Sequence, residues 1–114
     1  MHEPSRGDVW LTDLGYVAKV RPCLILSVPP TEAERALVTL VPHTTQPRDS
    51  RFEVAIGVPF LREGVFDAQS LVTVAKPKLI RRLGQLSPLN LARVERAVSL
   101  WLGLNPETGS TQGA

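Results

Sequence analysis

Cysteine is nearly absent: Cys23 is the single one in 114 residues. That excludes an internal disulfide framework and any multi-cysteine zinc site. Cys23 lies in an apolar run, so it reads as a buried, inert thiol. Histidine is scarce too. His2 and His43 stand far apart, there is no His-Glu-x-x-His pair, and other ligands at workable spacing are missing, so neither a metal nor a cofactor is expected. A glycine-rich phosphate loop and a Gly-x-Ser-x-Gly elbow are also lacking, which sets aside P-loop and α/β-hydrolase chemistry. No run approaches the ~18 apolar residues of a membrane span. The start, Met1 to Arg6, has no apolar core of a secretory signal, so a cytoplasmic protein without membrane association is expected. Charge of one sign is not in excess either. Thirteen basic against eleven acidic residues leave +2, too little to argue for nucleic acid without knowing where the charges sit.

What is present fits one domain. At this length roughly 65% of the unfolded surface can be buried, enough for one modest core. Residues 1–5 read as a flexible N-terminus, 6–104 as the folded domain, and the polar, aperiodic 105–114 as a disordered tail. Asp8 to Leu14 reads as a first strand ended by Gly15. After a short connection, Pro22 opens a second strand running to Val28, which places Arg21 at its mouth. Arg35 to Val41 is rich in apolar and β-branched residues and reads as a third strand, closed by Pro42. Phe52 to Ile56 alternates cleanly as a fourth. Gln69 to Val74 reads as a fifth. Lys76-Pro77-Lys78 and Arg81-Arg82 form a basic patch on a turn or short strand leading to Gly84. The last element is a helix: Ser87 is a good N-cap, Pro88 suits the first turn, and Leu91, Val94, Val98 and Trp101 make an apolar stripe. Gly103 then serves as the left-handed terminator. Five short strands and one terminal helix predict a mainly β fold, a strongly bent sheet or small barrel with the helix packed on it. So thin a core leaves apolar surface that a second copy could share.

The chemistry-bearing groups are few. Arg21 offers a permanently charged five-donor fork at the end of a rigid strand. The same position suits an ordinary rim arginine in a surface ion pair. The polar stretch from His43 to Arg51 carries two arginines, hydroxyls and a histidine, and reads either as a solvated loop or as a substrate-facing one. Arg21, Thr44, Thr45, His43 and Asp67 would suffice for one metal-free reaction, attack of an RNA 2′-hydroxyl on its own neighbouring phosphate. An arginine fork matches phosphate oxygens, and a hydroxyl donates to the developing charge. Basic residues would track the RNA backbone.

Arg6-Gly7-Asp8-Val9-Trp10 with Asp13-Leu14, Arg21-Pro22 with its apolar strand, Pro42-His43-Thr44-Thr45, Thr73-Val74 with Lys76 and Leu79, Gly84-Gln85-Leu86-Ser87 and Leu102-Gly103-Leu104 follow one another in an order and spacing that resembles the MazF/PemK/Kid family of toxin endoribonucleases. The resemblance spans Arg6 to Leu104. It implies an SH3-like β-barrel with a C-terminal helix, working as a homodimer. It also implies metal-independent, sequence-specific cleavage of single-stranded mRNA to a cyclic phosphate, and a cognate antitoxin whose acidic tail covers the groove between Gly15–Val20 and His43–Arg51. The family's catalytic arginine and threonine fall on Arg21 and Thr44. His43 and Asp67 are candidate proton carriers. Lys19, Thr45, Gln46, Arg48, Arg51, Lys76 and Lys78 are candidate RNA contacts. The Gly15–Val20 loop carries no acidic residue, and His43 stands at a usually apolar position. The alternatives are a non-enzymatic toxin of the same fold acting on a protein such as DNA gyrase, and an RNA-binding relative that does not cleave.

Overall fold

The computed structural model describes residues 3–15 and 19–104. The expected disordered tail, His2 and residues 16–18 of the Gly15–Val20 loop lie outside the described residues. Seven strands and one helix follow in order: β1 (Asp8–Asp13), β2 (Val20–Ile25), β3 (Leu37–Thr44), β4 (Glu53–Ala55), β5 (Val65–Asp67), β6 (Val72–Ala75), β7 (Leu79–Gln85) and α1 (Pro88–Leu102). Every pairing is antiparallel, in the order β4-β5-β3-β2-β1-β7, with β6 also on β3. The mainly β fold with a terminal helix is therefore as expected. The sheet bends but does not close, because β4 and β7 end the order without pairing to each other.

Cross-strand rows explain the core. Val9, Leu24 and Val41 stand opposite one another, and that row joins Phe66, Val94, Ala97 and Val98 in a core under α1. Trp10 faces Cys23 in the next row, and with Ile25, Val38 and Leu40 it builds a second core on the opposite face. Strand side chains alternate between faces, so adjacent apolar residues serve different cores. That is why Cys23–Ile25 is a continuous apolar run rather than an alternating one. Burial pushes the Cys23 thiol up to about 12, which keeps it protonated and inert.

Several sequence-based boundaries move. Pro22 and Pro42 lie inside β2 and β3 rather than at their ends. At Pro22, β2 has β1 beside it but not yet β3, which joins only from Cys23. At Pro42, β6 has already ended at Leu40 on one side of β3 and β5 begins only at His43. Each proline thus sits where one flank of the strand carries no ladder, the position at which a missing N–H is tolerated. The fifth strand begins later than read, as β6 from Val72: Gln69 and Ser70 belong to a 3-10 turn over Ala68–Ser70, which Asp67 caps by accepting from the Gln69 N–H at 3.1 Å, and the short β5 before that turn is a further strand. The basic segment is a 3-10 turn, Lys76–Lys78, followed by the seven-residue β7. The helix is capped as read: Ser87 Oγ accepts from Asn90 N at 3.2 Å, and Gly103 ends it at φ 73°.

Candidate active site

β2 and β3 carry the central pair. Their ladder pairs Ile25 with Leu40, Leu24 with Val41 and Cys23 with Pro42, then stops. Continuing the same register by two residues brings Arg21 level with Thr44. Both share the face of Cys23 and Pro42, by the two-residue alternation of a strand. His43 falls on the other face, with Val41. Where the ladder has stopped, a cleft of about 450 Å³ opens, lined by Leu14, Arg21, Pro42, His43, Thr44, Gln46, Arg48, Glu53 and Asp67 among others.

The guanidinium of Arg21 has no carboxylate within ion-pair distance among the described residues, in contrast to Arg6 with Glu95, Lys76 with Glu3 and Arg82 with Asp8. Among the described residues Arg21 is therefore a cation left open to an anionic ligand, and the rim ion pair that was its other reading is not made there. Thr44 Oγ1 accepts from the Gln46 N–H at 3.1 Å. That bond uses a lone pair and leaves the hydroxyl proton to donate outward. Leu14 and Val72, at the margin of the second core, give the cleft an apolar side.

The remaining groups divide. His43 is 3% exposed and packs edge-on against Phe66, with ring centroids 5.0 Å apart. Burial lowers its pKa, so the imidazole is neutral, and its Nε2 has no partner among the described residues. Asp67 lines the cleft, but one oxygen accepts from Gln69 N and the other from Ser70 Oγ at 2.8 Å. Gln46 and Arg48 line the cleft with the central pair, whereas Lys19, Thr45, Arg51, Lys76 and Lys78 do not. Arg51 lies over the Phe52 ring, 4.7 Å from its centroid. Lys76 holds Glu3 at 2.9 Å. Glu53 was not singled out from sequence, yet it lines the cleft, and its carboxylate binds the loop before β4. The Phe52 to Ile56 alternation marked Glu53 only as a strand residue facing away from the apolar row.

The family model for PemK-like, MazF-like toxins of type II toxin–antitoxin systems matches residues 5–102. The chain belongs to this family. Among curated relatives, the PemK/MazF-like chain is 35% identical to the endoribonuclease MazF4 of Mycobacterium tuberculosis over 104 residues, covering 91% of this chain and 97% of that protein. A probable endoribonuclease MazF of Mycolicibacterium smegmatis is 31% identical, over 87% and 96% of the two chains. Among solved structures, a mycobacterial endoribonuclease in complex with its cognate antitoxin superposes with a TM-score of 0.78 at 32% identity, covering 90% of this chain and 98% of that one. A chain of a MazE–MazF crystal structure from Deinococcus radiodurans, at 23% identity and TM-score 0.74 over 92% of this chain and 100% of that one, shares the fold. Among the described residues, no helix of this toxin is long and apolar enough to cross a membrane.

Proposed function

We propose that this toxin is a metal-independent endoribonuclease that cuts single-stranded mRNA at the cleft between β2 and β3. The supporting observation is the open register position: Arg21, without an acidic partner among the described residues, and Thr44, with a hydroxyl proton to give, sit level on one face and line one cleft. In the reaction the substrate's 2′-oxygen attacks the adjacent phosphorus while the bond to the 5′-oxygen breaks. The products are a 2′,3′-cyclic phosphate and a 5′-hydroxyl. One proton leaves the 2′-hydroxyl and one reaches the departing 5′-oxygen. The guanidinium of Arg21 binds two phosphate oxygens side by side, and Thr44 donates to the charge that develops on the phosphate. Arg48 and Gln46 hold the strand beyond the cut.

His43 and Asp67 are the candidates for proton transfer. Neutral His43 lines the cleft, edge-on to Phe66, and has an acceptor nitrogen to offer. Both oxygens of Asp67 already accept hydrogen bonds within its turn. A cytoplasmic homodimer held by a cognate antitoxin completes the reading. The antitoxin's acidic segment would compete for the Arg21 cleft. A toxin acting only on a protein target would need neither an unpaired arginine nor the hydroxyl beside it.

The test is purified protein on a long mixed-sequence RNA with EDTA present, beside Arg21→Ala. Discrete cuts with cyclic phosphate ends by the wild type alone are expected. No cuts, or equal cutting by both proteins, overturns the reading.

A further inference from the structure

A cleft that takes a polyanion should exclude carboxylates, yet Glu53 lines this one. Its bonds explain its presence. Both oxygens accept from the Arg48 N–H, each at 3.0 Å, and Oε1 also accepts from the Ser50 N–H at 3.2 Å. The segment closes further on itself. Glu53 N donates to Ser50 O at 3.2 Å, Ser50 Oγ accepts from Phe52 N at 3.1 Å, and Asp49 sits in the left-handed region at φ 58°. The backbone is thus bent through residues 48–53 around a single carboxylate. Backbone donors use the lone pairs that would otherwise face the ligand.

We infer that Glu53 is a positioning residue for RNA: its carboxylate ties down the loop that carries Arg48, fixing where the strand leaves the Arg21–Thr44 cleft. This rests on the nuclease reading above. Loops are mobile by default, and a cation on a mobile loop loses side-chain and backbone freedom when it grips a phosphate. A tied loop has lost that freedom before binding. Glu53 itself is anchored from the other side, since β4 places it opposite Asp67 on β5, in the stretch of sheet that reaches Thr44 through the Thr44–Val65 pair.

The sign of the effect separates positioning from plain charge. Removing an anion from an RNA cleft should tighten binding by electrostatics alone. If Glu53 positions the loop, Glu53→Ala weakens binding instead, raising KM on a long RNA about tenfold, the worth of a lost charge-assisted bond. Glu53→Gln keeps one carbonyl oxygen for the Arg48 or Ser50 N–H, so it binds RNA more tightly than Glu53→Ala. In an Arg48→Ala background the Glu53→Ala effect on KM disappears, because the loop no longer carries a grip to position. Amide hydrogen exchange at residues 48 and 50 rises in Glu53→Ala, a readout that needs no RNA, and thermal unfolding identifies any variant that has simply lost its fold. Glu53→Ala binding RNA as tightly as Glu53→Gln, or adding fully to Arg48→Ala, overturns the inference. Failure of the nuclease reading shows separately, in a wild type that does not cut.

Discussion

Arg21 and Thr44 line one cleft from neighbouring strands, each two residues past the last register pair of the β2–β3 ladder, Cys23 with Pro42. The ladder below them is rigid, and the gap above it is where a ligand can enter. Two prolines mark the limits of this gap, Pro22 on β2 and Pro42 on β3, each at a point where a strand has lost a neighbour. The fork and the hydroxyl are held by buried pairs while their own side chains face the cleft, the arrangement a preorganised site requires.

Arg21→Ala should lower the cleavage rate by about 10²- to 10³-fold, the usual cost of one lost donor to a developing charge. Arg21→Lys should recover only a small part, because an ammonium cannot match two phosphate oxygens at once. Thr44→Ser keeps the hydroxyl and should stay near wild type, whereas Thr44→Ala should not. Single-turnover cleavage of one mapped site, with thermal unfolding as the control for folding, checks all four statements. Full activity in Arg21→Lys would mean that charge alone suffices.

Gly64 lies against the site from outside. A Cβ there would stand 2.2 Å from the Thr44 carbonyl oxygen and 2.8 Å from the His43 ring, so the backbone of β3 must shift to admit it. Gly64→Ala should cost about 2 kcal/mol of stability and reduce cleavage by displacing Thr44. Gly57→Ala, where a Cβ meets nothing within 4 Å, should change stability by no more than about 0.5 kcal/mol. Urea unfolding of the pair gives the comparison. Equal stabilities would contradict the close approach.

Asp8 is fully buried beneath the N-terminal turn. Burial by itself would raise its pKa, but the Ser5 N–H, the Trp10 indole and the Arg82 guanidinium at 3.3 Å outweigh it and hold the carboxyl below its ordinary value. Asp8→Asn should cost about 2 kcal/mol, kept modest because Arg82 is partly exposed and can turn to water. The depressed pKa makes the contribution complete above about 3.8, with loss as the pH falls through the folded value. Acid unfolding of Asp8→Asn should lack that component.

His43 adds an earlier step. Its imidazole is neutral in the fold and its pKa lies below the ordinary 6.5, so the unfolded chain binds the extra proton first. Stability is therefore complete above about pH 6.5 and declines as the pH drops below it. His43→Leu should flatten that decline below about pH 6.5. Denaturant midpoints measured across this range decide it, and an unchanged slope would place the titrating group elsewhere.

The strands and the helix were legible in the sequence because their signals are local. The Cys23–Ile25 run, the alternation around Phe52 to Ile56, the Ser87 cap and Gly103 each depend on neighbours a few residues away. The two prolines misled for the same reason. Locally, proline reads as a strand end, but whether a strand can spare an N–H depends on which strands flank it, and that is a property of the sheet. The 3-10 turn that splits β5 from β6 was hidden in a β-prone run, where Asp67 could have been noticed as a cap.

The sequence by itself determined most of the elements, the family likeness and the kinds of group available for phosphate chemistry, since these follow from residue type and short-range order. Only the tertiary structure decided which of those groups meet. It brought Arg21 level with Thr44 and left the arginine without an acidic partner among the described residues. It turned His43 toward Phe66, sent Lys76 to Glu3 and Arg51 to Phe52, and brought Glu53 to the loop of Arg48. Register and strand order link residues far apart in the chain, and a one-residue slip exchanges the two faces of a strand. No local pattern carries that information.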